Sequence, residues 1–490
     1  MFKNNKIYNQ ELITKSENLT FKKINSFTVM QKAAKACSKF ILSNYKPKKV
    51  IILCGPGNNG GDGILIANNL IKKNIKVLIF APIGYAKSKD SKKAFKKLIN
   101  KKIIKNKVNF KNCDFFVDAL FGINFNRKLS NKLKKVIRVI NSQSFVKIAI
   151  DVPSGVYCDT GQINVIAIQA DITLTFHRLK PCHILQPGKD LSNKVKILDI
   201  GLTKLDGETK INLIKPPKLK TPSSSTHKYN RGEIFIFGGS EMIGASKLAT
   251  LSASQIAFKS GVGVVKLLVK DKSKNFYKSH ILEELIVTYS NIKNVEKIIK
   301  KTNSTFLFGC GLEINNENSR ILELLLKSRS KLLIDASGFS IIHKNLIKFY
   351  SLLKLRKADT VLTPHFGEFK KIFKISGNKI NDTKLAALKS NSIVLFKGND
   401  TVISDKTGQT YINYTSSPYL ATAGSGDVLA GIIASLMAQN YRSLSAAIIG
   451  CYLHSQCAIT INKPLTAKDI INILPQIIKN NSKRWKKLFY

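Results

Sequence analysis

The sequence predicts an α/β protein of two domains, each built on a mostly parallel sheet. Three observations carry this. Short β-branched runs alternate with helical stretches, the pattern of strands joined by crossover helices. Glycine turns close several of those runs. One stretch near the middle, 203–230, loses all periodicity and holds prolines and a Ser/Thr cluster. At roughly 100–200 residues per domain, 490 residues suit two or three domains.

The elements follow in order. Residues 25–46 read as an amphipathic helix, with Phe27, Met30, Ala33, Ala34, Cys37, Phe40 and Ile41 at helical spacing. KKVIILC (48–54) reads as a buried strand, 62–73 as a helix and KVLIF (76–80) as a second strand. A lysine-rich helix is expected over 87–103. DFFVDALFG (114–122), VKIAIDVPSG (146–155), ADITLTFH (170–177) and KVKILDIG (194–201) are further strands. The boundary is expected near 215–225. The second half restarts at GEIFIFGG (232–239), with a helix over 245–260. Strands are expected at 263–270, 304–311, 330–337, 359–365, 392–398 and within 401–413. Helices are expected at 424–440 and 443–462.

Composition excludes several classes. The chain is 44% hydrophobic and 22% charged, which rules out wholesale disorder. Lys+Arg is 80 against Asp+Glu 30, a formal charge of +50. Only nine of the 80 are arginine, the residue that nucleic-acid surfaces favour for bidentate contacts. The lysines are scattered along the chain, so no nucleic-acid partner is expected; an acidic, phosphorylated small ligand remains compatible. None of the eight cysteines forms C-x-x-C, and they read as small core residues in a reducing compartment. The N-terminus lacks the apolar core of a signal peptide. No uninterrupted apolar stretch is long enough to span a membrane. A cytoplasmic location without a membrane partner is expected.

Chemistry collects at the glycine turns. In Gly55-Pro56-Gly57-Asn58-Asn59-Gly60-Gly61-Asp62-Gly63, the glycines allow close backbone approach to a phosphate. The string satisfies G-x-G-x-x-G, but Phe80-Ala81-Pro82 stands where a dinucleotide fold carries an acid after its second strand. Asp118 and Asp151 each follow an apolar strand, where a carboxylate can bind a cation, accept a hydroxyl, act as a base or merely cap a helix. Asn59, Asp118 and Ser154 offer only hard oxygen ligands, suited to an alkali or alkaline-earth ion. In the second half, Thr422-Ala423-Gly424-Ser425-Gly426-Asp427 opens a helix whose N–H groups form an anion hole, with Asp427 placed to deprotonate a hydroxyl. Lys397-Gly398-Asn399-Asp400-Thr401 is a second glycine turn. Thr363-Pro364-His365-Phe366-Gly367-Glu368 sets a histidine and a carboxylate in a tight turn. His343 and His454 lack such context and read as structural.

Over roughly 8–215 the chain resembles the NAD(P)H-hydrate epimerase family. The carriers are GPGNNGGDG (55–63), DALFG (118–122), DVPSGVYCDTG (151–161) and ADITLTFHRLKP (170–181). Over roughly 226–475 it resembles the ADP-dependent NAD(P)H-hydrate dehydratases, through THKYNRGEIFIFGGS (226–240), GASKLATLSA (244–253), TPHFGE (363–368), KGNDT (397–401) and TAGSGDVLAG (422–431). The resemblance implies a Rossmann-like parallel-sheet domain at 1–215, a linker at 216–225 and a ribokinase-like α/β domain at 226–490. It implies a bifunctional repair enzyme that interconverts R and S hydrates of NADH and NADPH (NADHX and NADPHX) and dehydrates the S form at the expense of ADP, giving AMP and phosphate.

The resemblance also implies site residues. Asn58, Asn59, Gly60, Gly61 and Asp62, with Gly122, Ile123, Asn124, Phe125, Asn126, Arg127 and Lys128, would line the hydrate pocket. Asp151 would contact the hydrate and act as acid/base, with Lys180 as a second polar group. Asn59, Asp118 and Ser154 match K+ ligands. In the other half Ala245, Gly311, His365 and Asp427 would contact the hydrate, with Asp427 as base. Lys397, Gly398, Asn399, Asp400, Thr401 and Gly426 would hold ADP or AMP, with Mg2+ accompanying the nucleotide. A homo-oligomer is expected. The sequence departs from the family pattern at Phe366, at TVMQKAAKA and at Gly122-Ile123-Asn124. Two rivals stay open: a ribokinase-type small-molecule kinase fused to a binding domain, and a cationic nucleic-acid-binding scaffold.

Overall fold

A strand buried on both faces must send alternate side chains into two separate cores, and the apolar runs of this chain do so. The computed structural model describes residues 4–486 except 112, 220, 241–242 and 281–282, with side chains at 243–248 and 483–486 also left undescribed. The chain divides into two compact units, Met1–Ile211 and Asn212–Tyr490.

The first unit holds seven strands: β1 (Lys49–Cys54), β2 (Lys76–Phe80), β3 (Ile104–Lys105), β4 (Phe115–Ala119), β5 (Val146–Ile150), β6 (Ile172–Phe176) and β7 (Lys194–Leu198). Their order is β3-β2-β1-β4-β5-β6-β7, all parallel. Val50, Ile52 and Cys54 of β1 face one core with helices Ser26–Asn44 and Asn58–Ile71. Ile51 and Leu53 face the other, which includes Leu133, Ile137 and Ile140 of helix Asn131–Asn141. The order reverses between β1 and β4, so the loops after these strands diverge and open a crevice at their carboxyl ends.

Two helices differ from expectation. The helix after β1 begins at Asn58, so Asn58 to Gly63 form its first turns instead of a loop. This is sterically possible because Gly60 lies against the strand end: a Cβ there would stand 1.9 Å from the Gly55 carbonyl oxygen. The lysine-rich helix spans only Lys89–Lys96, not 87–103. It stops where the chain turns back and Ile99 N–H donates to Asn68 Oδ1 at 3.1 Å. Helix Gln10–Phe21 and two-residue β3 carry no periodicity strong enough to be expected, whereas helix Asn131–Asn141, with Leu133, Ile137 and Ile140 on one face, has a periodicity that the sequence reading passed over.

The second unit holds ten strands. They are β8 (Ile211–Leu213), β9 (Glu233–Phe237), β10 (Val264–Lys270), β11 (Leu285–Tyr289), β12 (Thr305–Phe308), β13 (Leu332–Ile334), β14 (Thr360–Leu362), β15 (Ile393–Phe396), β16 (Val402–Ser404) and β17 (Thr410–Ile412). Their order is β11-β10-β9-β12-β13-β14-β15-β16-β17-β8, parallel from β11 to β15 and antiparallel through β15-β16-β17. Ile234 and Ile236 pack with helices Ser425–Ala438 and Ser443–Ile461, and Phe235 and Phe237 pack on the opposite face with helix Asn316–Lys327. The first unit closes at Ile211, ahead of the expected 215. The chain is already bonded to the second sheet there: Ile214 N–H donates to the Ile412 carbonyl at 3.0 Å. Helix Ser443–Ile461 is the one described helix long and apolar enough to cross a membrane, and most of its apolar window is buried inside the unit. The described cysteines are all free.

A polar clamp holds the N-terminal segment of the first unit. Arg178 Nε and Nη2 donate to the two oxygens of Asp206 at 2.9 and 2.8 Å, and Tyr8 Oη donates to Asp206 Oδ1 at 2.9 Å. The Arg178 hydrogen bond holds the Asp206 carboxyl down at about 2. A carboxyl depressed by folding stabilises the fold above its ordinary pKa and loses that contribution as pH falls towards the folded value. Wild type should therefore lose thermal stability between about pH 4 and 2, and Asp206→Asn should remove that part of the slope while lowering the neutral-pH melting temperature. Melting curves across this pH range check it.

Candidate active sites

At the crevice of the first unit, the loops after β1, β4 and β5 enclose a cavity of about 460 Å³. Asn58, Asn59 and Asp62 reach it from one helix, because residues three and four apart share a helical face. Gly122 to Arg127 form another wall, and Asp151 a third. Gly60 and Gly61 are buried in the helix rather than on the cavity surface, and Lys128 lies beyond the lining. Phe121 stacks on Phe125 with ring centres 4.8 Å apart, and Phe125 on Tyr157 at 5.5 Å, which stiffens that wall. The Arg127 guanidinium lies 5.3 Å over the Phe121 ring.

Asp151 leaves β5 with φ +68°, a left-handed conformation that a non-glycine residue holds only under constraint. The constraint is visible. Lys180 is 1% exposed, and its Nζ donates to Asp151 Oδ1 at 2.6 Å, Thr175 Oγ1 at 2.7 Å and the Phe176 carbonyl at 3.0 Å. His183 Nδ1 accepts from Lys180 N–H at 3.1 Å, which leaves its Nε2–H to donate to the Asp151 carbonyl at 2.9 Å. Burial alone would push the Asp151 carboxyl up, but the Lys180 charge and hydrogen bond outweigh it and hold Asp151 below the usual range. Its Oδ2 has no hydrogen bond among the described residues.

Deeper in the unit, fully buried Asp118 accepts from Ser154 Oγ and Ser154 N–H, both at 2.7 Å, and from Leu120 N–H at 3.2 Å. Burial outweighs these bonds and pushes it up to about 6. Asn59 Nδ2 donates to the carbonyls of Phe121 at 2.8 Å and Ile150 at 3.3 Å. Two acids complete the cavity. Burial, with the charges of Asp151 and Glu17, pushes Asp62 well up, and its buried Oδ1 has no hydrogen-bond partner among the described residues. Glu17, from helix Gln10–Phe21, lines the same cavity. Burial and the Asp151 charge push it up to about 7.

The second unit gathers a different set at the carboxyl ends of β12 to β15. Asp335 follows β13, and its Oδ1 accepts from Lys397 Nζ at 2.6 Å. Cys310, Asp335 and Asp427 bring their ligand atoms within 4.8 Å of one another. Asp427 sits in the first turn of helix Ser425–Ala438, capped by Gly424 at φ +80°. Burial, then the nearby Asp335, pushes Asp427 up to about 6. Gly426 faces the same ion pair, since a Cβ there would lie 3.5 Å from Lys397 Nζ. His365 caps helix Phe366–Ile372: its Nδ1 accepts from Gly367 N–H at 2.9 Å, and Glu368 Oε2 accepts from His365 N–H at 2.8 Å. Glu368 is pushed up to about 7, chiefly by burial, and its carboxylate stands 3.8 Å from Lys397. Gly311 follows β12 with φ +70°. Gly398 to Thr401 form a closed turn, with Gly398 N–H donating to Thr401 Oγ1 at 3.2 Å and Asp400 paired with Lys379. Ala245 lies on helix Ile243–Lys259, and its side chain is outside the described residues.

Sequence reasoning missed Glu17, His183, Asp335 and Lys379. Asp335 had a signal, since it ends a strand as Asp118 and Asp151 do. Glu17 had none: it lies on a helix without strong amphipathicity, far from any glycine turn.

The comparisons divide the chain in the same way. A family described as NAD(P)H-hydrate dehydratase matches residues 234–480, and one described as YjeF-related protein N-terminus matches 26–182. The chain is 32% identical to the bifunctional NAD(P)H-hydrate repair enzyme Nnr of Dictyoglomus turgidum, over 92% of this chain and 93% of that protein. It is also 32% identical to the enzyme of the same name from Helicobacter pylori, over 92% and 95%. A solved Bacillus subtilis ADP/ATP-dependent NAD(P)H-hydrate dehydratase is 22% identical over 54% of this chain and 95% of its own, with a TM-score of 0.46. Near-complete coverage of both proteins by one alignment establishes that this chain belongs to the bifunctional NAD(P)H-hydrate repair enzymes.

Proposed function

We propose that the first unit interconverts the R and S hydrates of NADH and NADPH, and that the second dehydrates the S form with ADP, releasing AMP and phosphate. The observation that carries this reading is the Asp151–Lys180 pair, a carboxylate kept ionised on the wall of a nucleotide-sized cavity.

Epimerisation must break and remake the C6–O bond of the hydrate. Asp151 Oδ1 is engaged by Lys180, so Oδ2 is the atom free to exchange a proton with the C6 oxygen. Lys180 is fully satisfied by three acceptors and therefore orients Asp151 rather than reacting. Asn58, Asn59, Asp62 and the wall from Gly122 to Arg127 hold the substrate, and Arg127 suits its phosphates. Asp118, Ser154 and Asn59 form an oxygen set that fits K+, provided the Asn59 amide turns to present Oδ1. K+ there would supply a fixed positive charge beside buried Asp118.

In the second unit Asp427 takes the proton of the hydrate hydroxyl as that oxygen attacks the β-phosphoryl group of ADP. The N–H groups at the start of helix Ser425–Ala438, Gly426 included, carry developing negative charge. Lys397, held by Asp335, faces the same point, with the turn to Thr401 beside the nucleotide. Loss of phosphate then restores the ring double bond. Asp335 offers oxygens that fit Mg2+, which would neutralise phosphate charge; the buried Cys310 thiol does not fit it. His365, Gly311 and Ala245 are assigned to the hydrate. The free cysteines support a reducing, cytoplasmic setting.

Mixing the protein with R,S-hydrated NADH, with and without ADP, tests the whole reading through the NADH absorbance. Full recovery with ADP is expected, and no recovery overturns it. Asp151→Asn should lower R-to-S conversion by about 10²–10⁴-fold and leave dehydration of the S hydrate intact. Asp427→Asn should show the reverse pattern. A base must be ionised, so the dehydration rate should rise with pH through about 6, the value to which burial raises Asp427. A rate profile from pH 5 to 8 checks it.

A further inference from the structure

The two hydrates carry their hydroxyl on opposite faces of one ring. Interconversion therefore needs proton transfer on both faces: an acid where water leaves and a base where water adds. Asp151 supplies one such group. Resting on the epimerase reading above, we propose that Glu17, on the wall of the same cavity, is the second catalytic residue and serves as the acid when Asp151 serves as the base.

The geometry supports this in three ways. Glu17 reaches the cavity from helix Gln10–Phe21, an element separate from the strand-end loop that carries Asp151. Its carboxyl has no hydrogen bond or ion pair among the described residues, so nothing in the fold consumes it. Around it stand Asp62 from the helix after β1, Asp151 from the loop after β5, Lys180 after β6, and Arg127 on the cavity wall. Burial and the Asp151 charge favour its neutral form, whereas Lys180 keeps Asp151 charged. Two carboxyls in one pocket, pushed apart by their surroundings, define an acid and a base.

The step balances. Glu17 gives its proton to the C6 hydroxyl. The C6–O bond breaks, its electron pair leaves with water, and the lone pair of the ring nitrogen forms a C=N+ bond. Water adds to C6 from the other face, that bond returns its pair to nitrogen, and Asp151 takes the released proton. One proton has moved from Glu17 to Asp151. Exchange with solvent returns that proton before the next turnover. The reverse reaction exchanges the two roles.

The test uses the full chain with the R hydrate of NADH and ADP, where recovery requires epimerisation first, and the S hydrate with ADP as a control for the dehydration step. Glu17→Gln should lower kcat for the R hydrate by about 10²–10⁴-fold, with S-hydrate dehydration unchanged. Wild-type epimerisation should fall as pH rises through about 7, the value set by burial at Glu17, and Glu17→Gln should lose that limb. Glu17→Asp should recover part of the rate and keep the limb. Glu17→Gln with wild-type kcat, with only a raised KM, or with the limb intact overturns the proposal. A wild-type protein that never converts the R hydrate overturns the epimerase reading itself, which is a separate result.

Discussion

A fully buried ammonium must have all three of its protons accepted, and the first unit is organised around meeting that demand at Lys180. Its acceptors are Asp151, Thr175 and the Phe176 carbonyl. These groups lie at the ends of β5 and β6, so satisfying one lysine fixes the relative position of two strand ends and the turn at Pro181–His183. The same demand explains the left-handed backbone at Asp151, which turns its carboxylate towards the lysine. Breaking a buried pair from one side costs about 3–5 kcal/mol, because the surviving charge is left without a partner. The pair is thus both structural and functional: it stores backbone strain and keeps one carboxylate ionised where solvent is scarce.

The second unit solves a related problem with different residues. Lys397 and Asp335 pair at the ends of β15 and β13. Burial, helped by the Asp335 charge, raises the pKa of both Asp427 and Glu368 beside this pair. In both units a parallel sheet brings several strand ends to one edge, and a glycine-flanked helix start adds N–H groups pointing at the same place. Where the units differ is in what stands opposite the helix: acids in the first, an ion pair and a thiol in the second. That difference suits proton exchange in one and phosphoryl chemistry in the other.

The charge of +50 plays little part in these arrangements. The lysines that matter are a few buried or half-buried ones, Lys180 and Lys397 above all. Surface ammonium groups are screened within about 8–10 Å at physiological salt, so the remaining lysines set solubility and long-range attraction for polyphosphates rather than site chemistry.

Composition and pattern determined much of this protein by themselves. Alternating apolar runs and glycine turns specify two α/β units, because strand burial on both faces and left-handed turns are local demands that local sequence must meet. The strand-end rule picked out Asp118 and Asp151, and the glycine turns picked out Asn58, Asn59, Asp62 and Asp427. Only the tertiary structure decided the rest. Whether NNGGDG is loop or helix depended on how closely Gly60 could approach Gly55, a contact made by folding back. Glu17 enters the cavity from a helix whose sequence carries no chemical signal, so its acidity exists only once burial and the Asp151 charge surround it. His183 and Lys180 likewise gain their meaning from partners about 30 residues away. Local sequence fixes local geometry, but the electrostatics of a site come from what the fold brings around it, and these are distances no spacing in the chain records.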